Sequence, residues 1–109
     1  MAINRADTED GWTRKIHDAL DQYWAKHHET SQEPEYYRRN SASIRVRIVD
    51  RRFEGMSRDR RHDEVWQFLA EHTDGDTMSQ VSLLLLLPPN ELESSLMNHE
   101  FDHPVRPTG

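Results

Sequence analysis

The sequence contains no cysteine, which removes disulfides, thiolate metal sites and thiol nucleophiles together. It has only 4 glycines. They are scattered, which argues against a phosphate-cradling loop. Hydrophobic residues make up 34% of the chain and charged residues 31%, with a mean hydropathy of -1.00. A chain of 109 residues with this balance is one domain with a modest core, and not all of it is expected to pack. No apolar stretch approaches the roughly 20 residues of a membrane helix. The first residues lack the basic-then-apolar order of a signal peptide. The reading is a cytoplasmic domain spanning residues 10–97, with tails at 1–9 and 98–109.

Charge is present but unevenly distributed. The formal net charge is -6, which taken alone argues against nucleic acid. Residues 1–37 carry -4, residues 38–61 carry +6 and residues 62–109 carry -8. The 9 basic residues of the central block are all arginines: Arg38, Arg39, Arg45, Arg47, Arg51, Arg52, Arg58, Arg60 and Arg61. Such a block is either a phosphate-binding face or a surface neutralised by the acidic flanks.

Periodicity assigns the elements. Trp12, Ile16, Ala19, Leu20, Tyr23 and His27 follow helical spacing, giving an amphipathic helix over about residues 10–28. Pro34 enforces the break after it. Tyr36 to Arg39 reads as a short strand, and Asn40-Ser41-Ala42 as a tight turn. From Ser43 to Asp50, Ile44, Val46 and Ile48 alternate with Arg45 and Arg47, predicting a strand with one buried face and one solvated, cationic face. Gly55 marks a turn. Ser57 is an N-cap for a helix running to about His72, with Val65, Phe68, Leu69 and His72 on its inner side. Asp74-Gly75-Asp76 ends that helix. The run Leu83–Leu87 lies between this turn and Pro88-Pro89, and its length and bounds predict a strand over Ser79 to Leu87, buried on both faces or on one face and against a partner. Asn90 caps a short helix over about 91–97. The excess leucine surface is expected to meet either a partner, such as a second copy, or a covering segment of the same chain. The order is α-β-β-α-β-α: an α/β (α+β) domain with a small three-stranded mixed sheet and helices mainly on one face.

Phe53, Gly55, Ser57, Arg61, His62, Val65 and Leu69 match, position for position, the pattern F-x-G-x-S-x-x-x-R-H-x-x-V-x-x-x-L. In this the chain resembles the BolA-like family, over roughly residues 36–97. The resemblance implies a class II KH-like topology and a non-enzymatic adaptor role. The implied partner is a monothiol glutaredoxin sharing a 2Fe–2S cluster, and some members are linked to DNA binding and transcription. The implied partner-binding residues are Phe53, Gly55, Ser57, Arg61 and His62. One departure is specific: where the family carries a histidine at the start of its last strand, this chain has Gln80, and the neighbouring ligand region holds Ser43. Amide and hydroxyl groups are poor ligands for iron–sulfur clusters.

Three site hypotheses result. The first is the protein adaptor. The second is a nucleic-acid binder using Arg45, Arg47, Arg58 and Arg61, whose guanidinium forks suit phosphate; the KH-type GxxG loop is absent. The third is a zinc enzyme, because His99, Glu100 and His103 spell HExxH. That motif needs a rigid core helix and a third ligand, and a proline-bounded tail supplies neither, so no catalytic residues are assigned. His62 is a candidate metal ligand without a second one. Its ordinary alternative is a half-buried, hydrogen-bonded histidine.

Overall fold

A computed structural model describes residues 1–6 and 8–104. Four strands form one mixed sheet: β1 (Ile3–Asn4), β2 (Glu35–Asn40), β3 (Ser43–Val49) and β4 (Val81–Leu87), in that spatial order. β1 runs parallel to β2, β2 antiparallel to β3, and β3 parallel to β4. Four α-helices accompany the sheet among the described residues: α1 (Gly11–His27), α2 (Arg58–Glu71), α3 (Gly75–Met78) and α4 (Leu96–Asp102). Residues 51–53 and 89–91 form single 3-10 turns. No helix among the described residues is long and apolar enough to cross a membrane.

Local chemistry accounts for most of these elements. The Asp10 carboxylate accepts the N–H groups of Trp12 and Thr13, while Thr13 Oγ1 accepts from the Asp10 N–H, forming a capping box for α1. The inward stripe of α1 is Thr13, Ile16, Ala19, Leu20 and Tyr23; Trp12, read as part of that stripe, is exposed. Asn40 Oδ1 accepts from the Ala42 N–H at 3.0 Å and closes the β2–β3 turn. Ser57 Oγ accepts from the Arg60 N–H at 3.2 Å to start α2. Gly55 has φ +77°, a left-handed conformation that a Cβ would strain.

The sheet packs on both faces. Ile44, Val46 and Ile48 join Ile16, Leu20, Tyr23, Phe53, Val65 and Leu69 in the principal core, on the face covered by α1 and α2. Tyr37, Leu85, Leu87 and Phe101 form a second cluster on the opposite face, under α4. The leucine run feeds both: Leu84 and Leu86 face the first core, Leu83, Leu85 and Leu87 the second. That bears out a strand buried on both faces.

Three expectations are corrected. The sheet has four strands, because Ile3 and Asn4, read as tail, pair with Glu35 and Tyr36. Asp74 does not stop a helix so much as begin one: its carboxylate accepts from the Thr77 N–H at 2.7 Å and caps α3. The last helix is capped by Ser95, which accepts from the Asn98 N–H at 3.1 Å, and runs from Leu96 to Asp102, beyond the expected 91–97 and into the stretch read as tail. Pro88 and Pro89 favour the tight turn before it, and the later start lets Phe101 reach the sheet. The helices α1, α2 and α3 lie on one face, as expected of most of them, and α4 covers the other. The rest of the expected C-terminal tail, 105–109, lies outside the described residues.

Candidate functional site: an apolar groove along the edge of β4

The arginine block is mostly consumed internally. Arg47 donates to Glu35 (2.9 Å), Asn98 (2.8 Å) and Asp102 (2.9 Å), and its guanidinium lies 4.6 Å from the Phe101 ring centroid. Arg45 pairs with Glu100 and donates to the Tyr37 hydroxyl at 3.3 Å. Arg38 lies 2.6 Å from the Asp10 carboxylate, an ion-pair contact whose angle falls short of a hydrogen bond. Arg51 donates to the Glu29 carbonyl. Arg52 pairs with Glu64 and, at 3.7 Å, with the buried Asp50. The face of β3 expected to be solvated and cationic is thus sealed by α4. The reason is that the acids of that helix lie opposite the arginines of the strand. Of the four residues expected to contact nucleic acid, Arg45 and Arg47 are sequestered here, Arg61 is buried, and Arg58 is exposed.

Arg61 is a buried strut. Its two terminal nitrogens donate to the two oxygens of Glu91 at 3.0 and 2.8 Å. Its Nε donates to the Met56 carbonyl and its Nη1 to the Leu86 carbonyl. The pairing with Arg61, supported by the field of Arg58, holds the Glu91 carboxyl below its ordinary value despite some burial. Arg61 therefore fastens the start of α2 to β4 and to the turn at 89–91.

Beside this strut lies an open groove of about 630 Å³. Arg58 and His62 of α2 form one wall, Leu83 and Leu84 of β4 the floor, and Leu96 and Met97 the other wall. Leu96 is 87% exposed and Met97 45%, an unusual adjacent pair of large apolar side chains in water. His62 is exposed and stacks on Trp66 with centroids 5.4 Å apart.

The residues implied by the resemblance are distributed around this groove in different roles. His62 lines it. Gly55 and Ser57 shape the turn leading into α2. Phe53 is fully buried in the principal core, and Arg61 is the strut, mostly buried but with its side chain also lining the groove. Sequence reasoning missed Leu96 and Met97. Their helical spacing was legible, but that they face outward depends on where Phe101 anchors α4.

Two further constellations are resolved. Gln80 and Ser43 do sit together at one end of the sheet: the Ile44 N–H donates to the Gln80 carbonyl, Arg38 donates to the Gln80 side chain, and the Ser43 and Ser82 hydroxyls touch. These are hydroxyl, amide and guanidinium groups. They do not fit a 2Fe–2S cluster, which takes thiolate or imidazole. Of the HExxH residues, His99 and Glu100 lie on α4 and His103 is its C-cap; Glu100 is held by Arg45 and the His99 and His103 rings lie 5.0 Å apart. No group of three metal-ligating side chains occurs among the described residues.

No family model matches the chain, and no curated protein or solved structure matches it either.

Proposed function

We propose that this protein is a non-enzymatic, BolA-like adaptor that binds a protein partner in the groove between α2, the edge of β4 and residues 94–97. The observation carrying this reading is the exposure of Leu96 and Met97 beside the half-buried Leu83 and Leu84. Apolar surface of this kind gains free energy when a partner removes it from water. The element order from α1 to α4 suits the class II KH-like topology that the sequence pattern implies. A monothiol glutaredoxin is the partner to test first, and the pairing would not depend on a cluster ligand from this chain, since Gln80 and Ser43 are unsuited to that role. The nucleic-acid reading is disfavoured because Arg45 and Arg47 are already satisfied by carboxylates; a phosphate would have to displace them.

The test is an NMR titration of labelled protein with a monothiol glutaredoxin, with and without its cluster. Shifts at His62, Leu83 and Leu96 in both titrations support the adaptor. An absence of shifts removes it. Shifts at Arg58 and Arg60 with duplex DNA instead, fading steeply as salt rises, would replace it with phosphate binding.

A further inference from the structure

The groove has a floor that apolar contact alone does not explain. Among the described residues β4 is an outer strand of the sheet, paired with β3 on one side only. The Leu87 carbonyl accepts from the Asp50 N–H on the β3 side at 3.0 Å. Successive residues of a strand direct their backbone groups to opposite sides, so Leu86 faces away from β3. The guanidinium of Arg61 meets the Leu86 carbonyl from that outer side. By the same alternation, Leu84 points its N–H and its carbonyl into the groove, and Leu86 points its N–H there.

Outer strands are normally blunted by charge, proline or a bulge, because an open edge templates pairing with any extended chain. From Val81 to Leu87 this strand carries neither charge nor proline, and the register shift against β3 lies at its start, between Val81 and Leu83. Arg61 covers a single carbonyl at one end. The stretch from Leu83 to Leu85 remains open and is flanked on both sides, by α2 and by residues 94–97.

We propose that the groove takes an extended peptide segment of the partner, which adds to the sheet as a fifth strand against Leu84 and Leu86. The inference rests on the adaptor reading and specifies how the partner is held. Main-chain hydrogen bonds to a strand edge supply affinity, and alternate side chains supply selectivity. Alternate side chains of the added strand would point to the two walls in turn. One set meets Arg58, Asp59 and His62 at the start of α2, a polar wall of mixed charge that admits polar side chains. The other set meets Leu96 and Met97, which select aliphatic ones. The preferred ligand is therefore a segment alternating polar and aliphatic residues. A second folded copy is a poorer fit than a lone segment, because its own α2 and its own residues 94–97 would have to enter the same groove.

The experiment uses the full chain and a capped peptide of alternating glutamate and valine, as long as β4. A second peptide of identical sequence is N-methylated at the amides that would pair. Binding is followed by amide shifts and by hydrogen exchange. The expected result is slowed exchange at Leu84 and Leu86 with the plain peptide. Methylation should weaken binding about tenfold or more, the equivalent of losing one or two net hydrogen bonds. Equal affinity of the two peptides, or no binding of the plain one, overturns the proposal. So does protection of Leu84 that rises with protein concentration in the absence of peptide, which would make a second copy the occupant. Glutaredoxin shifts at His62 and Leu96 without protection of Leu84 would overturn strand addition and leave the adaptor reading standing.

Discussion

The two faces of the sheet are built on different physics. The α1/α2 face is a conventional core: Ile44, Val46, Ile48, Phe53 and Leu69 are all fully buried, and dispersion and apolar burial hold it. The α4 face mixes Tyr37, Leu85, Leu87 and Phe101 with Arg5, Arg45 and Arg47, which bind the carboxylates of α4; Arg5 and Arg47 also flank the Phe101 ring. A short helix of 7 residues has little intrinsic stability. Here it is held by one buried aromatic and a lattice of charge pairs. The lesson is that an alternating arginine strand need not be a nucleic-acid face; it can be the docking surface for an acidic helix of its own chain.

That contrast can be broken first on the apolar side. Phe53→Ala should destabilise the fold most, by about 3–5 kcal/mol, through lost burial and the cavity left behind. Chemical denaturation followed by fluorescence would read it as a lower midpoint. Next is Arg61→Met, which preserves volume while leaving the Leu86 and Met56 carbonyls without their donor. Its expected cost is about 2–3 kcal/mol, discounted because Glu91 retains access to water. Arg47→Met on the α4 face should cost less, about 1–2 kcal/mol, because its acidic partners are partly solvated. Its effect should be local, seen as faster amide exchange in α4 with little change in α2.

The pH response should separate the faces on its basic limb. Burial raises the Asp102 carboxyl, but the hydrogen bond from Arg5 and the fields of Arg47 and Arg5 outweigh it, leaving it below its ordinary 3.8. A carboxyl lowered on folding stabilises above its unfolded value and loses that contribution as pH falls below it. On the α1/α2 face, burial pushes Tyr36 up to about 12, and burial with the Asp50 hydrogen bond pushes Tyr23 up strongly. A phenol raised on folding stabilises below its unfolded value of 10.0 and loses that contribution as pH rises through the folded value. On the α1/α2 side the carboxyls of Asp10, Asp74 and Glu91 are likewise lowered, by Arg38, Lys15 and Arg61. Acid should therefore loosen both faces, whereas strong base should loosen the principal core first, measured by residue-resolved NMR across both limbs. Simultaneous loss of both faces in base would refute the division.

Much of the fold was legible from local pattern. The stripe of α1, the alternation of β3, the Ser57 cap and the Gly55 turn each rest on residues within a few positions of one another. The leucine strand was also legible from its bounds. β1 was not, because a two-residue strand exists only through pairing with residues some thirty positions away, as in Ile3 with Glu35. The candidate site was only half legible. His62 stood out by motif, whereas Leu96 and Met97 acquire meaning from the groove they border.

The sequence by itself determined the longer segments, α1, β2, β3, α2 and β4, since periodicity and capping act over one or two turns of chain. It also determined that the leucine strand needs cover on both sides. Only the tertiary structure decided what supplies that cover and what the arginines do. Arg45 meets Glu100 across 55 positions and Arg61 meets Glu91 across 30. Charge pairing at such separations carries no local signature, because any of the chain's 20 acidic residues satisfies the same electrostatics until the fold brings one of them within reach.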